Sequence, residues 1–455
     1  MTTSSKVETA GIAETPAEIK ISEALLYWLK LGFISFGGPA GQISMMHQEL
    51  VERRRWISEH RFLHALNYTM VLPGPEAQQL ATYIGWLMHG VKGGLMAGIL
   101  FVLPSLFILI ALTWIYLEYG NTQIVAGVLY GVKPAVTAIV LFAAYRIGSR
   151  ALKNNVLRAM ALLAFIAIFY FHVPFPIIVL AAGLLGFIGS KVAPQYFSGK
   201  LHASEEHASY GPAIIDDDTP APNHIKFSWA RLIFFIVVGL GIWIGVMALI
   251  FYKYGWDHTL TQMSLFFSKA ALVTFGGAYA VLPYVYQGGV DQFGWLTGTQ
   301  MIDGLALGET TPGPLIMVVT FVGFVGGWTK ELFGPEMLPL AGIAAACVAT
   351  FFTFLPSFLF IFIGGPAIEA TREDLHFTAP LLGITAAVVG VIINLAIFFA
   401  YHVLWPAGFE GSFDWISLLI GIVAFVALFN FKIDIVKVII GCALFGWLLS
   451  VVGIA

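Results

Sequence analysis

Beyond its first twenty residues the chain is a succession of long apolar runs interrupted by short polar or Gly/Pro-rich breaks. Runs such as 93–118 and 229–254 are long enough to cross a hydrocarbon core of roughly 30 Å as helices. The alternating pattern of a membrane β-barrel is missing. Lipid leaves every backbone polar group to be satisfied internally, so this pattern predicts an all-α polytopic membrane protein. Other runs are shorter. Residues 21–36 and 40–52 meet at Gly37-Gly38-Pro39, and 62–72 and 76–89 meet at Pro73-Gly74-Pro75. At about 1.5 Å per residue no such piece spans comfortably. If Arg61 and Lys92 lie on one side, the second pair must dip in and return. The expected form is a broken, re-entrant hairpin, with surface helices or single kinked spans as the alternative.

The breaks recur along the chain. KLGFISFGG at 30–38 is matched by KAALVTFGG at 269–277, an offset of 239. The same offset relates Trp56 to Trp295 and Pro73-Gly74-Pro75 to Pro312-Gly313-Pro314. Farther on, Ala97-Gly98 pairs with Ala341-Gly342, and Leu103-Pro104-Ser105 with Leu355-Pro356-Ser357. Several rare features in one register imply two homologous halves, 21–190 and 260–453. Residues 1–20 read as a disordered tail. Residues 191–228, with Asp216-Asp217-Asp218, read as a solvated cytoplasmic linker. The helix at 229–254 has no partner in the first half, and an unpaired crossing inverts the second half relative to the first.

Charge supports the inversion. Arg53, Arg54, Arg55 and Arg61 surround Trp56, whereas 289–300 around Trp295 has no Lys or Arg. Arg146, Arg150, Lys153 and Arg158 crowd a second loop whose counterpart, 398–410, again has none. Conversely 119–124 has no basic residue, while its partner near 366–376 has Arg372. Short basic loops stay cytoplasmic, so the halves are expected to face opposite ways, the inverted-repeat plan of many secondary transporters.

Composition agrees: 58% of residues are hydrophobic and 11% charged, too apolar for a soluble globule. A net charge of −3 gives no sign of a nucleic-acid partner. Cys347 and Cys442 both sit in apolar runs and suggest neither a disulfide framework nor a metal site. The polar N-terminus lacks the features of a cleavable signal peptide. No nucleotide-binding loop or hydrolase signature occurs, so no cofactor and no enzymatic activity are expected.

Breaks carry the candidate chemistry. Gly permits close backbone approach, Pro ends the preceding helix, and helix N-termini released there offer free N–H groups to an anion. The same residues also suit close helix packing, which is the plainer reading. Lys30 and Lys269 each lie seven residues before a Gly-Gly pair, and a lysine at membrane depth costs roughly 2.5–3.5 kcal/mol on insertion scales. A divalent anion would give both a partner; snorkelling to the interface is the alternative. The candidate substrate site is therefore Lys30, Ser35, Gly37, Gly38, Pro73, Gly74 and Pro75, with Lys269, Thr274, Gly276, Gly277, Pro312, Gly313 and Pro314. Glu76, Asp303 and Glu309 are candidates for proton coupling or for pairing with the lysines, with helix capping as the alternative for Glu76. His64 occupies the place of Asp303 in the other half. Lys133, whose counterpart is Thr385, is a third cationic candidate.

The stretches FGGPAGQISMMHQELVERRRWIS, LPGPEAQQLATYIGW, AGILFVLPS, FGGAYAVLPYV, DGLALGETTPGPL and FLPSF resemble the chromate ion transporter family in its two-domain form. The resemblance spans 22–453 and implies a bacterial or archaeal inner-membrane protein that confers resistance by chromate efflux, with sulfate as competitor. It carries over the glycines and prolines of the four breaks, and Ala278 stands where the first half has Pro39. The expected partners are the oxyanion and the lipid bilayer, with a homodimer left open. Uptake or exchange of sulfate or another oxyanion is the competing function. An anion channel and a membrane scaffold are the competing classes.

Overall fold

A computed structural model describes residues 19–120, 122–197, 210–217, 219, 224–370 and 378–453. The tail to residue 18, Asp218 and Arg372 lie outside the described residues. The first half holds α1 (Ile21–Ile34), α2 (Gly38–His47), α3 (Glu59–Val71), α4 (Glu76–Tyr119), α5 (Gln123–Ala151), α6 (Asn155–Phe169) and α7 (Phe175–Val192). A short α8 (Pro194–Phe197) and a long α9 (Trp229–Tyr254) follow. The second half holds α10 (Thr259–Val273), α11 (Ala278–Tyr286), α12 (Gly298–Thr310), α13 (Val318–Thr329) and α14 (Leu338–Ala370). It ends with α15 (Thr378–Leu404), α16 (Trp415–Phe429) and α17 (Ile435–Val451). Among the described residues the one extended pairing is a bridge between Ile57 and Ile215.

Six described helices are long and apolar enough to cross a membrane, among them Gln123–Ala151, Trp229–Tyr254 and Ala379–Leu404. This is an all-α, multi-pass membrane protein. α4 is not one straight span. It leaves helical geometry at His89 and Gly90, the latter at φ 63°, and doubles back. A Cβ built on Gly85 would lie 2.7 Å from Ala97 Cβ, so glycine is what lets the two arms touch. α13 and α14 repeat the device, with Gly323 placed 2.7 Å from the Ala345 carbonyl by the same construction.

Local geometry recurs at matching positions. A π-helical turn follows α2 at Gln48–Arg53 and α11 at Gln287–Gln292. The Arg54 and Trp56 amides donate to Glu49 and Leu50 carbonyls at 2.9 and 2.7 Å, and those of Phe293 and Trp295 donate to Gly288 and Gly289 at the same distances. Ser58 and Thr297 cap α3 and α12, and Asn154 and Asp414 cap α6 and α16. Before α7 and α17, His172 and Lys432 each stand at φ 51°. These last elements match at an offset of 260, where Val173 and Ile433 amides reach Ala167 and Ala427 carbonyls at 3.1 Å.

Two bodies result. α5 packs on α16 and α17, α15 packs on α6 and α7, and α5 meets α15, giving a six-helix bundle. α1–α4 and α10–α14 form the other body, with α9 laid on α14. The described part of the linker is docked. Ile215 and Ile225 are buried, Ser58 Oγ donates to Asp217 at 2.6 Å, and His224 Nε2 lies 3.1 Å from the Trp86 carbonyl. Two isoleucines anchor a segment whose polar composition reads as free. Arg61, counted in the sequence with the loop cations, is instead buried and paired with Glu369 at 3.1 Å. It sits in the first turn of α3, whose inward face meets α14.

Candidate functional site at the paired breaks

Each break turns the backbone in a way that glycine accepts cheaply. Gly37 and Gly38 stand at φ 88° and 69°, Gly276 and Gly277 at 80° and 95°, and Gly74 and Gly313 at 127° and 105°. Side chains there cost roughly 1–2 kcal/mol. The surroundings divide the six into two kinds. A Cβ on Gly38 or Gly277 would meet nothing within 4 Å, so the Gly-Gly turns border open space. On Gly74 it would lie 2.7 Å from Ser357 Oγ and Gln79 Nε2, and on Gly313 2.7 Å from Ser105 Cβ. The Pro-Gly-Pro turns are packed tight. The second Gly-Gly break also differs in shape: α2 starts at Gly38 and carries Pro39 in its first turn, whereas α11 starts one register position later, at Ala278.

The halves cross at these turns. Gly74 donates its amide to the Thr274 carbonyl at 2.7 Å, and Gly313 donates to the Ser35 carbonyl at 2.9 Å. Ser35 and Thr274 are counterparts at offset 239, as are Gly74 and Gly313, so the same contact is made twice, once from each half. Ser105 and Ser357, counterparts again, each approach the glycine of the opposite half.

Polar groups around the crossing are underused. The hydroxyls of Ser35, Ser105 and Ser357 and the side-chain oxygens of Gln42, Gln78 and Gln79 are buried and lack a hydrogen-bond partner among the described residues. Gln42 Nε2 bridges the Ser35 and Gly313 carbonyls at 3.1 and 2.6 Å. Gln79 Nε2 donates to the Pro73 carbonyl at 2.8 Å, and Gln78 Nε2 to Thr82 Oγ1 at 3.0 Å. An unmet buried polar group costs about 1–3 kcal/mol. Packing alone does not require three hydroxyls placed this way. The helices released here, α2, α4 and α11, and the 3₁₀ turn Leu315–Met317 have no side-chain N-cap, which leaves N–H groups and partial positive charge at their starts. Hydroxyls and free backbone N–H groups of this kind can donate to an oxyanion.

The predicted charged residues are placed in different ways. Lys30 and Lys269 are exposed and make no ion pair among the described residues; Lys269 lines a pocket of about 230 Å³ with Asp257 and Gln292. Helical periodicity does not carry from either lysine to its break, because Ser35 and Thr274 leave helical geometry at ψ 73° and 92°. Glu76 is half-buried in the first turn of α4, without a hydrogen-bond or ion-pair partner among the described residues. Glu309 is buried and accepts from the Tyr279 hydroxyl. Asp303 is buried between Lys133 Nζ at 3.6 Å and the Tyr116 hydroxyl at 2.9 Å. It borders a cavity of about 650 Å³ lined also by Tyr130, His402 and Asp414.

Sequence reasoning passed over Ser105 and Ser357 as ligands, although their motif was in register and pointed to them. Nothing comparable marked the glutamines. Gln42, Gln78 and Gln79 correspond at offset 239 to Val281, Met317 and Val318, so no repetition singles them out.

A family model described as "Chromate transporter" matches residues 22–187 and 261–447. A "Chromate transport protein" of Pseudomonas aeruginosa is 32% identical over 450 residues, 98% of this chain and 96% of that protein. One from Cupriavidus metallidurans is 29% identical over 392 residues, 86% of this chain and 85% of its own length. No solved structure matches the chain.

Proposed function

Since the chain belongs to the chromate transporter family, we propose that it is a secondary transporter that exports chromate across the inner membrane. The observation that carries this reading is the set of buried, unpartnered hydroxyls at the crossed Gly74–Thr274 and Gly313–Ser35 bonds. A tetrahedral dianion presents oxygens that Ser35, Ser105 and Ser357 can donate to, beside uncapped helix starts. Sulfate has the same shape and charge and competes for the same donors.

The two halves run in opposite senses across the membrane in this reading. Arg53, Arg54 and Arg55 mark one cytoplasmic turn, their counterparts carry no cation, and α9 supplies the odd crossing. The N-terminus and the linker are then cytoplasmic. Direction follows from electrostatics. One charge crossing 100 mV is worth about 2.3 kcal/mol, so a dianion leaving an inside-negative cell gains about 4.6. At about 1.4 kcal/mol per decade this supports an outward gradient above a thousandfold without a coupling ion.

Labelled chromate flux in proteoliposomes, with and without an imposed potential, tests the reading. The expected flux saturates, follows the potential and is inhibited by sulfate; no flux under any gradient would overturn it. Ser105→Ala and Ser357→Ala each remove one donor to a charged ligand, worth about 1.5–3 kcal/mol. Each should raise the half-saturating chromate concentration about 10- to 100-fold, read from the same flux curves. Unchanged saturation in both would remove the hydroxyls from the site.

A further inference from the structure

The two bodies are each built symmetrically, yet they are joined asymmetrically. The six-helix bundle packs on α11 and α12 through α5, α15 and α17, and among the described residues it has no comparable packing on α2 and α3. Burial records the difference. Tyr279 and Pro283 on α11 are buried, while their counterparts Ala40 and Ser44 on α2 are exposed. Among the described residues the bundle covers one half and leaves its twin uncovered.

The seam that exists has five interactions of interest. Lys133 pairs with Asp303 at 3.6 Å. Thr385 Oγ1 lies 3.7 Å from a Cβ built on Gly276. The Tyr286 and Phe398 rings meet at 4.3 Å, and Gly298 sits against Phe398 and His402. Arg146 is within electrostatic reach of the buried Tyr279–Glu309 pair. Repeat symmetry transposes each contact onto the bare face, with offset 239 for α1–α3 and α10–α12, and 252 for α5 and α15. Phe398 and His402 become Arg146 and Arg150, and Tyr286 and Gly298 become His47 and Glu59. An aromatic seam turns into two arginines facing an acid. Thr385 beside Gly276 becomes Lys133 beside Gly37. Between α7 and the π-helical turn, the Phe175 amide donates to Gln287 Oε1 at 3.1 Å. Its transposed partners are Ile435, at offset 260, and Gln48, the same side chain and exposed.

We propose that Lys133, Arg146 and Arg150 are positioning residues of transport that change partners as the bundle rocks from α11–α12 onto α2–α3. Arg146 and Arg150 then take Glu59, and Lys133 moves from Asp303 to the Gly37–Gly38 turn. The inference rests on the transport reading, in which a fixed central site must open to each side in turn. Each dock has its own ion pairing, so neither is favoured outright, as a bistable element requires. Small residues on α2 leave room for the approach. Glu59 now lies 2.5 Å from His47, which also meets Glu52 at 3.1 Å, with the exposed ring of Tyr210 standing edge-on over His47. Those contacts open as the arginines arrive.

Two cysteine pairs test this in membranes, with Cys347 and Cys442 replaced by alanine and a short bis-thiosulfonate linker. Y286C/F398C samples the dock that is seen, and Q48C/I435C the dock inferred; neither removes a charge. Both pairs are expected to link in the same preparation, each blocking flux until reduced. Glu59→Arg should lower the Q48C/I435C yield about fivefold, the scale of an exposed ion pair, and Arg150→Glu added to it should restore the yield. A merely structural Glu59 would show no such rescue. Linking of Y286C/F398C alone, linking of both without loss of flux, or no rescue would each overturn the proposal, and failure of both pairs would overturn the dock it starts from. Linking is read on a gel without substrate. Two linked docks in a protein that carries no chromate would therefore sink the transport reading and leave the rocking in place.

Discussion

Arg61→Met should destabilise the folded protein by about 3–5 kcal/mol, the cost of leaving one charge of a buried pair unmatched. Arg61 and Glu369 are each 5% exposed, with Nη2 and Oε2 3.1 Å apart. The second oxygen of Glu369 accepts from the Tyr83 hydroxyl. Methionine keeps most of the stem's packing, so the loss reports the charge. Without Arg61, Glu369 keeps the Tyr83 hydroxyl but loses its ion-pair partner. The pair ties α3 of the first half to α14 of the second, so its loss loosens the joint between them. Glu369→Gln should be nearly as damaging, because Arg61 Nε and Nη1 already lack partners among the described residues. The double variant should lose much less than the two single losses together, since the groups are coupled. Thermal unfolding of the purified protein checks all three. A single Arg61→Met variant as stable as the wild type would show the pair to be idle.

Gly313→Ala should abolish transport. The position stands at φ 105°, and the added methyl would sit 2.7 Å from Ser105 Cβ and 3.1 Å from its hydroxyl. Backbone strain of about 1–2 kcal/mol adds to overpacking of about 1–3. Relief can come by displacing Ser105, or by moving the turn and losing the Gly313–Ser35 bond. Either way the site is deformed at its crossing. Gly277→Ala is the control: its φ of 95° carries the same strain, but nothing lies within 4 Å of the new methyl. Chromate flux should therefore fall more than a hundredfold in the first variant and no more than about tenfold in the second, about 1.4 kcal/mol. Equal losses in both would mean that strain alone decides, and that the approach of Ser105 is incidental.

Much of this was legible in the chain. Gly37, Gly38, Gly74, Gly276, Gly277 and Gly313 were visible as breaks because a Gly-Gly or Pro-Gly-Pro inside an apolar run weakens or ends the helix. All six take positive φ. Registers of 239 and 252 came from identical rare motifs, and Ser105 and Ser357 were inside one of them. Their role stayed hidden, since a serine in Leu-Pro-Ser looks the same whether it packs or donates. Lys30 and Lys269 illustrate the opposite case. Seven residues put each on a face with its break only if the helix continues, and the backbone leaves helical geometry at Ser35 and Thr274.

The sequence by itself determined the class of protein, its helices and the places where they break, because these follow from local rules: apolar runs must pair their own backbone groups in lipid, and left-handed turns favour glycine. Tertiary structure alone decided which break meets which. It made Gly74 donate to Thr274 and Gly313 to Ser35, buried Arg61 against Glu369, and set Lys133 beside Asp303 rather than His64. It also set the bundle on one half of a symmetric pair. Local preference is nearly the same in both halves of a repeat, so it cannot choose between them; packing across the seam, where Tyr279 and Pro283 are covered and Ala40 and Ser44 are not, is where that choice is made.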